Sequence, residues 1–463
     1  MRTLLICCFA LATPLFAMAA DGDLDSTFGS GGKVRLPQAG GYHGTWMPTD
    51  VAVQSTGKII ISGWDDKGFT ECFVLRLNAN GSLDTTFGGG NGFQPGYAGY
   101  GNCKYTGVAV RSDDKIVAAG PGVGYTPTIS FVGRFDANGS PDLSFNATGS
   151  VDLQPSSGDS ALAVNRIVLD SSGNVVATGA YTESTNSVDF YLARVAADGS
   201  AQTSVHYNTY FSGSSSPNSD IAYDIALGSD GSYYVAGTTK SSAGDLNCAL
   251  SHNYYNGTVD AILTDNTFSG SSNVVIPKNY GDTNDDYCFA LALQPHDTLV
   301  LGGQSSTATR QDATFTTQGA DGSPGTRTNY QFVYDRINGP FNGDVNTVKR
   351  VIVEPYDHHP LLIGSGPNYT NIPGQGYDLG VARFSSPSTP DTSFNAASLG
   401  SQGFAFYDVG STTTANLNTA TSAVLWRGRL IIVGTAQDSS GGTDIVALRL
   451  APFDGIFKDG FEG

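Results

Sequence analysis

The chain is poor in basic residues: 24 Lys and Arg stand against 42 Asp and Glu, a formal charge of −18 over 463 residues. That balance excludes a nucleic-acid partner, because phosphates need Lys and Arg. Charged residues of both signs make only 14% of the chain, and helix formers are few. A coiled coil or helical bundle is thereby excluded. Beyond the first twenty residues no apolar run approaches the ~18 residues of a membrane helix. G-x-S-x-G, H-E-x-x-H and a phosphate-binding P-loop are absent, as are a sialidase-type Asp box and the tryptophan docking repeat of quinoprotein propellers. What the chain does have is 59 Gly, 22 Tyr and 24 Phe. So many aromatics exclude a disordered chain and leave a Gly-rich, all-β globule.

The first residues read as an export signal. Arg2 forms a basic start, Leu4 to Ala12 are apolar, and Ala17-Met18-Ala19 has the small-x-small form of a signal-peptidase site. Residues 1–19 are the expected signal peptide, with cleavage after Ala20 as the alternative. Cys7 and Cys8 fall inside the apolar stretch and leave with it. The mature chain is expected in a secreted, periplasmic or cell-surface setting. Four cysteines remain, Cys72, Cys103, Cys248 and Cys288, and none forms a C-x-x-C pair that would point to zinc.

One pattern fills the rest: an apolar strand, a polar turn, and a second apolar strand ending at Gly. Its copies are VAVQSTGKIIISG (51–63), VAVRSDDKIVAAG (108–120), IVLDSSGNVVATG (167–179), IALGSDGSYYVAG (225–237), LALQPHDTLVLGG (291–303), VIVEPYDHHPLLIG (351–364) and AVLWRGRLIIVG (423–434). A third strand follows, as in FVLRLN (73–78), FVGRFD (131–136), FYLARVA (190–196) and VALRL (446–450). A hairpin turn comes next at Asn80-Gly81, Asn138-Gly139, Asp198-Gly199, Asn256-Gly257, Asp321-Gly322 and Asp454-Gly455, with Pro387-Ser388 in the sixth copy. Then comes D-x-[ST]-F at Asp84–Phe87, Asp142–Phe145 and Asp391–Phe394, from which copies three to five depart.

Four antiparallel strands repeated seven times predict an all-β, seven-bladed β-propeller, a single domain over 20–455. Each sheet buries its faces only by stacking on two neighbours. Asp21 to Phe28 reads as the turn and D-x-[ST]-F of a unit whose first three strands are missing. The N-terminal strand, about 33–36, is therefore expected to complete the last blade and close the ring. Residues 456–463 form a short tail.

Units such as AVQSTGKIIISG…FVLRLNANGSLDTTFGGGNGF resemble the bacterial delta-60 repeat, a propeller-like unit of secreted and surface proteins. Copies one and two, the N-terminal fragment and part of copy six match it best. Copies three and four are similar to related bacterial propeller repeats. The resemblance implies a fold and an exported setting, and it brings no active site with it. The ending Ile456 to Glu462 resembles an I-F-x-D-G-F-E tail on exported proteins of some gamma-proteobacteria.

The cysteines carry the repeat symmetry. Cys72 precedes a third strand and Cys103 the next first strand, and Cys248 and Cys288 stand in the same relation. First and third strands run the same way, so each pair shares one face of the disc. Four cysteines allow three pairings, and Cys72–Cys103 with Cys248–Cys288 alone follows the repeat.

Candidate site residues come from the same register. Three residues before the aligned Val53, Val110, Leu169, Leu227, Leu293, Val353 and Leu425 stand Asp50, Gly107, Arg166, Asp224, Ala290, Arg350 and Ser422. Asp50, Arg166, Asp224 and Arg350 are thereby expected near the axis, as a binding ring or as ion pairs between blades. Trp64, Tyr125, Tyr181 and Tyr369 follow the second strands and form an expected exposed aromatic set on the disulfide face, with His43, Trp46, Tyr97, Tyr100 and Tyr105 nearby. Asp282, Asp285 and Asp286 are the candidates for a Ca²⁺ site. Asp21, Asp23 and Asp25 have D-x-D-x-D spacing without the rest of a calcium loop. The six histidines fall at different repeat phases, and no other metal or cofactor is expected.

The sequence thus reads as an exported, non-enzymatic, monomeric propeller that binds a glycan or protein partner through one face. The alternatives are a hydrolase or lyase with its site at the central funnel and a purely structural surface component. An enzyme needs several titratable groups around a deep funnel.

Overall fold

The structure, a computed structural model, describes residues 20–37, 45–66, 70–96, 102–122, 129–153, 161–182, 187–206, 219–241, 244–265, 267–270, 273–276, 285–306, 311–330, 346–367, 376–386, 389–395, 403–409, 416–439 and 441–453. Among them the regular elements are β-strands and two single-turn 3₁₀ helices, Phe268–Gly270 and Pro295–Asp297. No helix among the described residues is long and apolar enough to cross a membrane. The expected signal peptide, the Asp454-Gly455 turn and the tail lie outside the described residues.

Each sequence copy folds as its own antiparallel meander. Copy two runs Gly107–Val110, Ile116–Pro121, Ser130–Phe135 and Ser150–Leu153, paired in that order. Copies three and five form four-stranded sheets of the same order. Copy four carries a fifth strand, because Ala261–Thr264 and Asn273–Ile276 both pair with the long Leu246–Asn256. Copies six, seven and one are joined in a 13-stranded sheet by short parallel bridges, Gly376↔Asn416 and Thr45↔Thr443. In the same sheet Lys33–Leu36 pairs antiparallel with Thr443–Arg449, Lys33 opposite Leu448 and Leu36 opposite Ile445.

The second strands are buried on both faces, which explains their continuous apolar character. Ile59 and Ile61 of Ile59–Asp66 pack with Ile431, Val433 and Ile445 of copy seven. Ile60, between them, packs with Ile116, Ala118 and Phe131 of copy two. Period-two alternation thus divides one strand between two neighbouring sheets. Each such side chain contributes ~1.5–3 kcal/mol by leaving water.

Two disulfides, Cys72–Cys103 and Cys248–Cys288, join copy one to two and copy four to five, with Cα separations of 5.0 and 5.1 Å. Cys72, Cys248 and Cys288 lie inside their strands rather than before them. Disulfides of this kind persist in an oxidising compartment.

One sequence assignment is corrected. Copy four does contain D-x-[ST]-F, at Asp265-Asn266-Thr267-Phe268. Thr267 donates to Asp265 Oδ1 through both its N–H (2.8 Å) and its hydroxyl (2.7 Å). The motif is displaced because the outer hairpin of this copy is longer, with its turn at 257–260.

Candidate functional site

The first strands converge on an axis, and a repeated irregularity aims their side chains at it. In six copies the first strand shifts register at the same place, between Pro48 and Asp50, Val164 and Arg166, Ala222 and Asp224, Cys288 and Ala290, Val348 and Arg350, and Ala420 and Ser422. Such bulges re-aim a side chain and sharpen the local twist.

The four charged residues expected near the axis come together there. Arg166 Nη1 lies 2.5 Å from Asp50 Oδ1, and its Nε lies 3.4 Å from Asp224 Oδ1. Arg350 Nη1 lies 3.0 Å from Asp224 Oδ2. Asp50 also accepts from the Ser422 hydroxyl (2.7 Å) and the Val108 N–H (3.0 Å). Asp224 also accepts from the N–H groups of Leu291 (2.8 Å) and Ile225 (3.0 Å). All seven copies therefore contribute a group to this cluster. Copy two supplies backbone because Gly107 packs on copy three, where a Cβ would lie 3.0 Å from Ile167 N. Burial weakens the Arg166 charge, but Asp50 and Asp224 outweigh it and hold the guanidinium pKa above its ordinary value. For Arg350, burial and then Arg166 lower the pKa. Two acids and two guanidinium groups neutralise one another, and both carboxylates are occupied by donors.

On one side of this charged layer lies a cavity of about 550 Å³. Its walls are the ends of the first strands, including Val51, Ile225, Leu227, Val353 and Leu425. Among its described lining residues Arg350 alone is charged. The described lining residues do not include the set of titratable groups that hydrolysis or elimination needs.

The other side, toward the disulfides, is chemically different. The residue immediately before Asp50, and its equivalents in the other copies, joins the axial row here. Thr49, Thr106 and Asn165 each donate to a backbone carbonyl of the next copy, at 2.7 Å in each case: Tyr105, Val164 and Ala222. Tyr223, Phe289 and Lys349 occupy the same station in copies four to six. Tyr223 and Phe289 meet edge to face at 5.1 Å, and Tyr287 stacks on Phe289 at 5.2 Å. Lys349 Nζ stands 4.6 Å from the Phe289 ring centre. All four residues are half-buried. Burial lowers the Lys349 pKa and raises that of the Tyr223 phenol. Sequence reading missed this cluster, because strict alternation gives no sign that two consecutive residues share the axial row.

The expected exposed aromatics separate. Trp64 is half-buried, with Lys104 Nζ of copy two 4.1 Å from its ring centre. Tyr181 is a core residue rather than a surface one: it is 1% exposed. Its strand, Val175–Thr182, runs beyond Gly179 and alternation turns the ring inward. Trp46 and Tyr105 are also buried. Tyr125, Tyr369, His43, Tyr97 and Tyr100 lie outside the described residues.

Of the calcium candidates, Asp282 lies outside the described residues. Asp286 is held by two Arg327 nitrogens, at 2.8 and 3.1 Å, and Asp285 accepts from the Leu246 N–H at 2.8 Å.

A second recurrent arrangement lies at the outer rim, and it explains D-x-[ST]-F. Asp84 Oδ1 accepts from the Thr86 N–H and hydroxyl, while its Oδ2 faces Arg76 Nε at 2.8 Å and Lys58 Nζ at 2.7 Å. Asp142 does the same with Ser144, Arg134 and Lys115. Asp25 does so with Thr27, Arg449 and Arg429. In the sixth copy Asp391 has Ser393 and Arg383, and His359 stands where the others have a lysine or arginine. The arginine spans to the next copy: Arg76 donates to the Ala137 carbonyl, Arg134 to that of Ala197 and Arg449 to that of Ala79. The residue after each Phe then donates to the neighbouring turn: Gly29 to Asn80 O, Gly88 to Asn138 O, Asn146 to Asp198 O, Ser269 to Asp321 O and Asn395 to Asp21 O. The motif is a clasp between neighbouring copies.

The fold that these sheets build is a β-propeller. A family model described as a domain of unknown function (DUF5122) beta-propeller matches residues 54–87 and 111–145, in copies one and two. Among solved structures, a protein of unknown function from Dyadobacter fermentans is 11% identical, with 91% of this chain and 98% of that chain covered and a TM-score of 0.47. The polysaccharide lyase Uly1 is 10% identical over 88% of this chain and 90% of its own, with a TM-score of 0.49. The β-propeller domain of the Trilobed protease from Pyrococcus furiosus is 7% identical over 88% and 99%, with a TM-score of 0.41. Likenesses at this level carry nothing about activity. No curated protein matches the chain in sequence.

Proposed function

We propose that the chain is an exported, non-enzymatic propeller of the delta-60 kind that binds a glycan or protein partner through its disulfide face. Its seven blades form a ring closed by the N-terminal strand. The observation that carries the reading is the half-buried cluster of Tyr223, Tyr287, Phe289 and Lys349 at the axial mouth. Aromatic faces beside a cation and hydroxyl donors are what a sugar ring or a peptide side chain packs on. The non-enzymatic part is supported by the saturation of Asp50 and Asp224 and by the apolar cavity on the other side. Ring closure is supported by the pairing of Lys33–Leu36 with Thr443–Arg449, and export by the two disulfides and the N-terminal sequence.

The test is affinity electrophoresis of the mature chain through gels containing neutral or uronate-rich polysaccharide, with a pull-down of exported proteins alongside. Retardation or capture by the wild type, weakened at least tenfold in Y223A/F289A, is the expected result. Binding indifferent to both substitutions would place the partner elsewhere. Release of reducing ends or unsaturated products from the polysaccharide would favour the hydrolase or lyase reading.

A further inference from the structure

The rim clasp is built with one change in the sixth copy. The backbone register shows the correspondence: Gln54 N–H bonds to Lys58 O, Arg111 N–H to Lys115 O and Glu354 N–H to His359 O. Lys58 and Lys115 each bring an ammonium to within 2.8 Å of the rim aspartate. His359 brings an imidazole to the same place, with Nδ1 3.2 Å from Asp391 Oδ2 and 3.8 Å from Asp357 Oδ2. That nitrogen makes no hydrogen bond.

The charges around it do not balance as they do in copy one. There, one carboxylate, Asp84, faces two cations, Arg76 and Lys58, beside the neutral Gln54. In copy six Arg383 faces three carboxylates, Asp21, Glu354 and Asp391, and Asp357 adds a fourth beside His359. Glu354 is 1% exposed, and its Oε2 has no hydrogen-bond partner. A buried carboxylate oxygen without a donor costs free energy unless a proton or a cation meets it. One ligating atom each from Glu354, Asp357 and His359 lie within 4.8 Å of one another. Asp357 is exposed on the turn, so its side chain can close the remaining distance to a common ion.

We propose that this turn binds a divalent transition-metal ion through Glu354, Asp357 and His359, in the position that a lysine ammonium fills in copies one and two. Imidazole nitrogen with carboxylate oxygens is a donor set that suits zinc. The ion would complete the clasp between copy six and the N-terminal segment, which meets it through Asp21. This inference is independent of the ligand reading at the axial mouth.

The experiment is calorimetric titration of zinc sulfate into tag-free, chelator-treated mature protein, with thermal unfolding measured beside it. The expected result is one ion per chain and a rise in melting temperature on adding zinc. The double variant E354Q/H359K rebuilds the Gln54/Lys58 pair of copy one. It should fold, unfold at or above the temperature of the metal-free wild type, and lose zinc binding at least a hundredfold. H359A should weaken binding at least tenfold, and H358A should leave it unchanged. No binding by the wild type at millimolar zinc would overturn the proposal. So would equal binding by E354Q/H359K and, should that variant not fold, equal binding by H359A.

Discussion

Arg166 joins two carboxylates from opposite parts of the chain, Asp50 of copy one at 2.5 Å and Asp224 of copy four at 3.4 Å. The residues are 116 and 58 positions away in sequence, yet a single guanidinium bridges both, and Arg350 brings the second positive charge to Asp224. Asp50 and Asp224 are 1% and 2% exposed. Neither charge has water to fall back on. The cluster works as an axial strut: it ties the first strands of the seven copies to one another through two buried carboxylates.

Replacing Arg166 by Met should therefore be severe. The hydrocarbon stem is kept, but two buried carboxylates lose their shared counter-charge. Breaking one side of a buried pair costs ~3–5 kcal/mol. Equilibrium urea unfolding should show a loss of that size, and R166M/D50N should recover part of it. A change under ~1 kcal/mol for R166M would mean that the strut carries little stability.

The rim aspartates and Asp220 give opposite responses to pH. Burial alone would raise the Asp84 carboxyl, but Lys58, Thr86 and Arg76 hold it well below the carboxylate range. Asp142 is lowered likewise, against burial, chiefly by Lys115, Ser144 and Arg134. Their contribution is present above pH ~4 and is lost as the pH falls toward their folded pKa values. Asp220 is raised to about 6 by burial, in part offset by the Thr239 hydroxyl and the Lys240 N–H. Its contribution is present below pH ~4 and is lost as the pH rises through 6. A shift of about two units corresponds to ~3 kcal/mol. Urea midpoints measured from pH 3 to 7 should show the difference. D220N should flatten the decline between pH 4 and 6 and leave the acid limb unchanged, whereas D84N should reduce the acid limb.

The turn glycines of the clasp make a sharper steric test. Gly139 has φ +92°, and a Cβ there would lie 2.7 Å from the Phe87 ring of the preceding copy. Both the left-handed backbone and the contact oppose G139A, and a loss of ~2 kcal/mol or more is expected. Gly231 has φ +85° with nothing within 4 Å of the added atom, so G231A should cost only the backbone strain. Equal losses for the two would show that ring packing under the turn is unimportant.

Much of the fold was legible because each copy carries its own strands and its own turn. The Asn-Gly turns and the closing glycines mark a register that held well enough to pair the cysteines and to bring Asp50, Arg166, Asp224 and Arg350 together. What escaped depends on departures from strict alternation or on contacts between copies. The bulge that puts Thr49 beside Asp50 in the axial row also puts Tyr223, Phe289 and Lys349 there, and no residue type announces it. Tyr181 read as a loop residue because its strand outruns the glycine that ends the pattern. The aspartate of D-x-[ST]-F looked like turn chemistry, which its Oδ1 performs; its Oδ2 serves an arginine eight residues earlier in copies one and two.

The N-terminal segment supplies the last prediction. Lys33–Leu36 pairs with Thr443–Arg449, Phe28 is fully buried, and Asp25 meets Arg449 Nε at 2.9 Å. A chain starting at residue 38 would lose the strand, the Phe28 side chain and the counter-charge of a buried arginine together. Phe28 alone stands for ~1.5–3 kcal/mol and the broken ion pair for ~3–5 kcal/mol. A free edge along Thr443–Arg449 would also be open to pairing with other chains. The truncated protein should melt at a clearly lower temperature than a chain starting at residue 20 and associate on light scattering. A synthetic peptide spanning residues 20–37, added in excess, should restore both properties. A truncated chain with the same stability and the same scattering as the chain from residue 20 would show that the segment is an appendage rather than part of the packed fold.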